Sequence, residues 1–213
     1  MTTKEDFLGR LRSSLADGSP PPHRPLATLA GVPEVVPARV DGSVPVTERW
    51  AQAWEALGGR VHRTTGDDVG AAVDAAVAGR GPVLIDQRSD LDVAGLERLE
   101  WPGCGLEAAA MATSGVIEAT AAIAATGSIV VDTARAGRLV SLLPRIAVFV
   151  VPASAVVGTT GDVLRRHRDL WPAGPPTNVV LVTGPSRSGD IEMRLVVGVH
   201  GPGEVHAVLV EDQ

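Results

Sequence analysis

Cysteine and aromatic residues are scarce in this chain of 213 residues. Cys104 is the only cysteine, so the chain has no internal disulfide and lacks the ligands for an iron–sulfur cluster or a multi-cysteine zinc site of its own. Aromatic residues make up 3% and tyrosine is absent, which excludes a tyrosine general acid and leaves few rings to stack on bases. The core must therefore be mainly aliphatic.

The chain also lacks a net positive charge and an apolar run long enough to span a membrane. The formal net charge is −6 and no basic run occurs, so nucleic-acid binding has little electrostatic support. The apolar stretch Ile146–Val157 is too short to span a bilayer and contains Pro152. The N-terminus is charged and lacks the apolar centre of a signal peptide. We expect no membrane span, no nucleic-acid partner and a cytoplasmic location.

The N-terminal part differs in composition from the rest. Phe7, Leu8, Leu11 and Leu15 recur at helical spacing, which predicts a short amphipathic helix. Seven of the 16 prolines then lie between positions 20 and 45, which is typical of an extended arm. The sequence predicts two parts, an N-terminal helix with a Pro-rich arm over 1–45 and one domain over 46–213.

Helical and strand patterns alternate from residue 46 onward. A helix beginning at Val46 and ending before Gly58 is followed by a short strand, a second helix and the buried strand "PVLID". Further strands are predicted at 115–117, 128–131, 147–152, 178–184 and 204–212, and a helix over 161–171. This order predicts an α/β fold with an open, mostly parallel sheet flanked by helices.

The stretch "LVTGPSRSGDIE" (181–192) collects hydrogen-bonding side chains at one turn between a predicted strand and a predicted helix. Its glycine, hydroxyl and guanidinium groups, with free N–H groups at a helix start, suit a phosphate or carboxylate. The two carboxylates either cap the helix or orient the arginine. The predicted ligand-binding residues are Gly184, Ser186, Arg187, Ser188, Asp190 and Glu192.

Three other segments supply candidates for the same site. The turn Thr126, Gly127 and Ser128 could approach a ligand with its backbone amides, or could be a plain tight turn. Arg138 could reach an anion or be solvated. The loop "GVHGPGE" places His200, beside Gly201, as a contact or a catalytic proton carrier, or simply as a loop cap. No metal-binding motif is apparent.

These stretches, in this order, resemble a known family. The motifs that carry the resemblance are "AIAATGSIVV", "RLVSLLP", "VTGPSRSGDIEMRLVVGVHGPGEVHAVLVED" and, more loosely, "GVIEATAA". They are similar to the lactate-utilisation protein C family, built from the LUD domain, over roughly residues 80–211. Ala125 stands where the family usually has an acidic residue, and Ile117 stands where it often has threonine.

The resemblance implies a fold like the sugar-phosphate isomerase and CoA-transferase superfamily, with anionic ligands at strand ends. It also implies a role in oxidising L-lactate to pyruvate with two iron–sulfur partner proteins, while this chain binds no cofactor itself. The relatives' nucleophilic glutamate has no secure counterpart here, although Glu118 and Glu192 are carboxylates in the matched region.

Two other functions remain open at this stage. The chain could be a stand-alone enzyme acting on a sugar phosphate or a CoA-linked substrate, with His200, Asp190 or Glu192 as its base. It could also be a structural or regulatory subunit that docks through its Pro-rich arm. Fold alone does not decide among these.

Overall fold

The computed structural model describes most of the chain from residue 43 onward and a few earlier positions. The described residues are 5, 6, 9, 13, 43–91, 93, 95–133, 136–174, 176–190, 194–198 and 200–212. The chain divides into two units, Met1–Asp41 and Gly42–Gln213. Glu5, Asp6, Gly9 and Ser13 are helical, in agreement with the predicted N-terminal helix. The predicted Pro-rich arm lies outside the described residues.

The described helices of the second unit are short. They are α1 (Val46–Ala56), α2 (Val69–Val77), α3 (Gly105–Met111), α4 (Arg138–Leu142), α5 (Thr160–Arg165) and α6 (His167–Leu170), with 3₁₀ turns at Gly66–Asp68 and Ala153–Ala155. The predicted helix over 161–171 is thus two helices that break at Arg166. The end of α1 is as predicted, since Gly58 adopts a φ of 95° that side chains rarely tolerate.

The strands run through the whole unit. They are β1 (Arg60–Thr64), β2 (Val83–Asp86), β3 (Arg98–Trp101), β4 (Ser114–Glu118), β5 (Ala121–Ile123), β6 (Ser128–Asp132), β7 (Ile146–Pro152), β8 (Val156–Val157), β9 (Val179–Val182), β10 (Arg187–Asp190), β11 (Arg194–Val197) and β12 (Glu204–Val210). Every strand predicted from the sequence is present.

Three sheets form from these strands. The main sheet has six parallel strands in the order β1-β12-β7-β4-β2-β3. A mixed sheet has the order β8-β5-β6-β9, and β10 pairs with β11 as an antiparallel hairpin. The predicted α/β fold with a mostly parallel sheet is confirmed.

The core lies on both faces of the main sheet. On one face α1 buries Trp50 and Trp54, and Trp54 meets Phe149 of β7 edge to face. On the other face α2 buries Val73 and Val77 against the aliphatic side chains of β2, β7 and β12. Each such side chain contributes about 1.5–3 kcal/mol when it is fully buried. An aliphatic core of this kind is what the composition predicts.

The helix predicted after the turn at Gly184 is wrong. The chain forms β10 there, and Arg187 pairs in register with Val197 of β11. A hairpin pairs alternate N–H groups across its strands, so the row of free N–H groups at a helix start, on which the prediction relied, does not form at these residues. Asp190 ends β10, and Glu192 lies outside the described residues.

The parallel strands give the main sheet two distinct ends. At the amino end, the residues preceding β4, β7 and β12 lie side by side. At the carboxyl end, the connection that leaves β2 runs to β3 and the one that leaves β4 runs to β7, in opposite directions across the sheet. Ligands of open α/β sheets commonly bind at such a reversal. Polar side chains gather at both ends.

Candidate functional site

The turn 126–128 and the segment that leads to Arg187 lie next to each other, as the sequence predicts. The hydroxyl of Ser128 hydrogen-bonds the hydroxyls of Thr126 at 2.7 Å and Thr183 at 2.9 Å. Gly127 lies against α1, because a Cβ there would come within 2.8 Å of the carbonyl carbon of Ala53. The end of α1 therefore fills the space between the two segments.

Arg187 contacts the same helix end. Its Nη2 donates to the carbonyl oxygen of Leu57 at 2.7 Å, which satisfies a carbonyl that helix geometry leaves free. A Cβ on Gly184 would lie 3.1 Å from that same oxygen. The hydrogen-bonding groups of this turn thus hold the end of α1, and the ligand-binding roles of Gly184 and Arg187 stay predictions.

The other predicted ligand-binding residues separate in space. Arg138 begins α4 and is exposed. Ser186 packs on the loop that carries His200, because its N–H donates to Pro202 at 2.8 Å and its carbonyl accepts from Gly198 at 2.9 Å. Ser188 lies within β10. Ser186 thus lies beside the loop of His200, at a cleft other than the predicted one between the turn 126–128 and the segment 184–192.

This cleft opens at the amino end of the main sheet and has a volume of about 670 Å³. His200 and Gly201, both predicted from the sequence, lie in its lining. Arg80, Arg145 and Glu204 are its other charged residues, and the sequence analysis did not single them out. We call it the amino-end cleft.

Glu204 is the most heavily paired group of the amino-end cleft. Both oxygens accept from Arg80, at 2.9 and 3.1 Å, and Oε1 also accepts from Arg60 at 2.9 Å. The hydrogen bonds from Arg80, aided by His206, lower the pKa of Glu204 to about 2. Glu204 is therefore an anion at neutral pH, and the guanidinium groups around it offset its charge.

Arg145 and His200, unlike Arg80 and Glu204, have side chains without partners among the described residues. Both are exposed, and neither side chain has a hydrogen bond or salt bridge to any residue that the structure describes. Arg145 lies directly before β7, and its carbonyl oxygen accepts from the N–H groups of Gly203 and Glu204 at 3.0 and 3.3 Å. The backbone is thus held while the guanidinium is free to bind an anion in the amino-end cleft.

A chain of hydrogen bonds leads away from Glu204 into the protein. His206 is 2% exposed, and its Nε2 lies 2.8 Å from Glu204 Oε1. Its Nδ1 lies 2.9 Å from Nε2 of His62 on the neighbouring strand. Burial lowers the pKa of both histidines, more than Glu204 raises that of His206, so the pair is neutral near pH 7.

The direction of these bonds follows from the charges. The Glu204 carboxylate only accepts, so Nε2 of His206 carries a proton, and the neutral ring then accepts at Nδ1. Nε2 of His62 must therefore donate. The hydrogen bonds thus run in one direction, from His62 through His206 to Glu204. Neither histidine was assigned a function from the sequence, because nothing local distinguishes them from structural residues.

A second polar cluster lies at the carboxyl end of the sheet. Asp86 ends β2 and is 2% exposed. Its Oδ1 accepts from the N–H and Nε of Arg88 at 3.0 and 2.7 Å, and its Oδ2 accepts from Nη2 of Arg88 at 2.9 Å and from the N–H of Gly137 at 2.7 Å. Burial alone raises the pKa of Asp86, but these hydrogen bonds outweigh it and hold the pKa below its ordinary value.

Two further carboxylates share this end. Glu118 ends β4 and accepts from the hydroxyl of Ser89 at 2.5 Å. Asp132 is buried and accepts from Thr120 at 2.6 Å and from the indole N–H of Trp171 at 2.8 Å. These pairings tie β2, β4, β6 and the end of α6 together. The carboxyl-end cluster is a network of satisfied groups, whereas the amino-end cleft holds free ones.

Comparison with known families matches residues 47–210 to the LUD domain. The chain belongs to the LUD domain family. The resemblance predicted from the sequence is confirmed. The LUD match begins within α1 and ends with β12, so it contains the amino-end cleft and the carboxyl-end cluster.

Similar proteins from several bacteria carry the name Lactate utilization protein C. The protein from Bacillus velezensis is 35% identical over 155 residues, which cover 62% of this chain and 64% of the relative. The protein from Bacillus subtilis is 33% identical, and the match covers 62% of this chain and 64% of the relative. The protein from Geobacillus kaustophilus is 32% identical, and the match covers 70% of this chain and 72% of the relative. The chain thus spans slightly under two thirds of the first two relatives.

A solved structure shows the same fold. A DUF162 family protein from Deinococcus radiodurans superposes with a TM-score of 0.61, covering 78% of this LUD protein and 96% of that chain at 18% identity. Within the described residues, no helix has the length and apolarity needed to cross a membrane. The same residues contain no group of three His, Cys, Asp or Glu side chains placed to hold a metal ion.

Proposed function

We propose that this LUD protein is the anion-binding component of an L-lactate utilisation system. The family supports this, because the domain match covers residues 47–210 and the relatives carry the name Lactate utilization protein C. The role is binding a small anion while iron–sulfur partner proteins carry out the oxidation of L-lactate to pyruvate.

The anion site of the proposal is the amino-end cleft. The observation that carries it is Arg145, which lines a cleft of about 670 Å³ together with His200 and whose guanidinium has no partner among the described residues. A guanidinium offers paired N–H donors that match a carboxylate or phosphate. Arg80 adds positive charge at the wall, although Glu204 already engages it.

The cysteine content supports the assignment of electron transfer to partner proteins. L-Lactate gives up two electrons when it becomes pyruvate, and a chain whose single cysteine is Cys104 cannot supply the several thiolates of an iron–sulfur cluster. We therefore assign electron transfer to the partner proteins. This chain contributes the binding and orientation of the anion.

The first test is a tagged purification from the native host under anaerobic conditions, with an absorbance spectrum and an iron assay on the eluate. Co-purification of brown, iron-containing proteins whose complex oxidises L-lactate supports the proposal. A colourless protein that purifies alone, from a host whose growth on L-lactate survives deletion of the gene, contradicts it.

The second candidate function is a stand-alone enzyme acting on a sugar phosphate or a CoA-linked substrate. The position of His200 favours it, because an exposed histidine in the lining of the amino-end cleft suits acid–base chemistry. Turnover by the purified protein alone, lost in His200→Ala and retained in the exposed control His167→Ala, supports this function.

A further inference from the structure

The amino-end cleft combines its charged groups with an apolar wall. Leu142 and Leu143 at the end of α4 are 40% and 37% exposed, and Val197 at the end of β11 is 51% exposed. All three line this one cleft, together with Pro144 and Ile146. Large apolar side chains that converge on a concave surface mark a binding site more often than scattered ones do.

The size of the cleft also bears on the ligand. Its volume of about 670 Å³ falls in the range of about 300–1,000 Å³ that is typical of sites for drug-sized molecules. Lactate has three carbon atoms and fills a small part of such a space. If lactate were the ligand, most of the apolar wall would stay in contact with water.

A buried hydroxyl beside the wall is a separate observation. Ser114 is fully buried, and its Oγ has no hydrogen-bond partner in the described structure. It pairs in register with Ile146 of the cleft wall, so the two side chains are neighbours on one face of the sheet. Ser114 is thus a buried neighbour of the wall, and the lining of the cleft does not include it.

We propose that the amino-end cleft binds an aliphatic carboxylate longer than lactate. Its carboxylate pairs with Arg145, and its hydrocarbon chain lies along Leu142, Leu143 and Val197. The inference rests on the proposed function, since it names the class of the anion that the LUD protein binds. It makes the ligand a second molecule beside the lactate that the system consumes.

The test is a calorimetric titration of the full chain with acetate, L-lactate, butanoate, hexanoate and octanoate at pH 7. Each methylene that enters an apolar environment contributes about 0.8 kcal/mol, which is about a fourfold gain in affinity. We expect affinity to rise at each step up to hexanoate, with L-lactate among the weakest ligands. Arg145→Gln should weaken every member about tenfold or more, because each loses the same charge-assisted pair.

Two conservative variants isolate the wall. Leu142→Gln and Val197→Thr keep the size of the side chain and add polarity, and both should lower the ratio of hexanoate to acetate affinity about threefold or more. Leu164→Gln is the matched control, because Leu164 is 63% exposed on α5 and lies outside the cleft lining. Circular dichroism and urea unfolding verify that each variant is folded.

The outcomes distinguish a failure of the aliphatic-ligand proposal from a failure of the proposed anion-binding function. If acetate, lactate and hexanoate bind with equal affinity and Arg145→Gln weakens all three, the proposal of an aliphatic ligand is refuted. The proposal of an anion site in the amino-end cleft then still holds. If every carboxylate binds to Arg145→Gln as tightly as to the natural sequence, the amino-end cleft is not the anion site, and the proposed function loses its support as well. A rising series that Leu142→Gln and Val197→Thr flatten, and the control does not, supports the inference.

Discussion

Replacing Asp86 by asparagine should destabilise the folded domain by about 3 kcal/mol. Each carboxylate oxygen accepts two hydrogen bonds, one pair from the N–H and Nε of Arg88 and the other from Nη2 of Arg88 and the N–H of Gly137. Asparagine has one oxygen and one NH₂ group. In either orientation, two donors therefore face the NH₂ group and lose their acceptor.

The magnitude follows from burial. A hydrogen bond to a charged group contributes about 1.5–3 kcal/mol, and two of them are lost. The Asp86 side chain is 3% exposed, but that of Arg88 is 51% exposed, so the arginine regains water and the total falls to the lower half of that sum. The estimate of about 3 kcal/mol is far above the effect of an ordinary surface change.

The assay is urea unfolding at pH 7, followed by the fluorescence of the buried Trp50 and Trp54. The unfolding midpoint should fall in Asp86→Asn while the slope with urea stays the same. Asp74→Asn on the exposed side of α2 is the control and should be neutral within about 0.5 kcal/mol. A loss below about 1 kcal/mol in Asp86→Asn refutes the reasoning.

The pH dependence gives a second check on Asp86. Its pKa is lower in the folded state, so the unfolded chain takes up the proton first as the pH falls. The carboxylate therefore stabilises the fold fully above about pH 4, near its ordinary pKa, and this contribution is lost as the pH falls through the folded pKa. The difference between Asp86→Asn and the natural sequence should narrow on acidification below about pH 4.

Three further outcomes are expected. Gly115→Ala should cost about 2 kcal/mol or more in urea unfolding, since its Cβ would lie 1.9 Å from the carbonyl oxygen of Val140, and Gly103→Ala, with no atom nearer than 3.5 Å, is the control. The free energy of unfolding should fall between pH 7 and 5.5, and His206→Gln should make that fall smaller. Burial lowers the pKa of His206 in the folded state, so below its ordinary pKa of 6.5 the unfolded chain takes up a proton that the folded chain does not, and stability is lost. Arg187→Gln should lower the unfolding free energy by about 1 kcal/mol or less and leave acetate affinity unchanged, because its guanidinium holds the end of α1, and lost acetate binding would contradict this.

Local patterns predicted the strands and the longer helices correctly. The helix that begins at Val46 has apolar residues at helical spacing and a glycine directly after its end, and both signals act within a few residues. The run at 147–152 is aliphatic throughout, as a strand buried on both faces requires. The motifs around His200 also sufficed to recognise the LUD family.

The error after Gly184 shows where local signals stop. The stretch from Arg187 forms a strand because Val197 and its neighbours pair with it across the hairpin. The hydrogen-bonding turn was recognised, but its role depends on the end of α1, about 130 residues earlier in the chain. Periodicity says nothing about such a partner.

The sequence by itself determined the α/β class, the order of the strands along the chain and the family, because these follow from periodicity, turn residues and motifs. Only the tertiary structure decided which side chains meet. His62 and His206 are 144 residues apart and face each other because β1 pairs with β12 in one register. Arg145 and His200 face one cleft because the parallel strands β7 and β12 begin at the same end of the sheet. Strand order and register are global properties of packing, and no short window of sequence contains them.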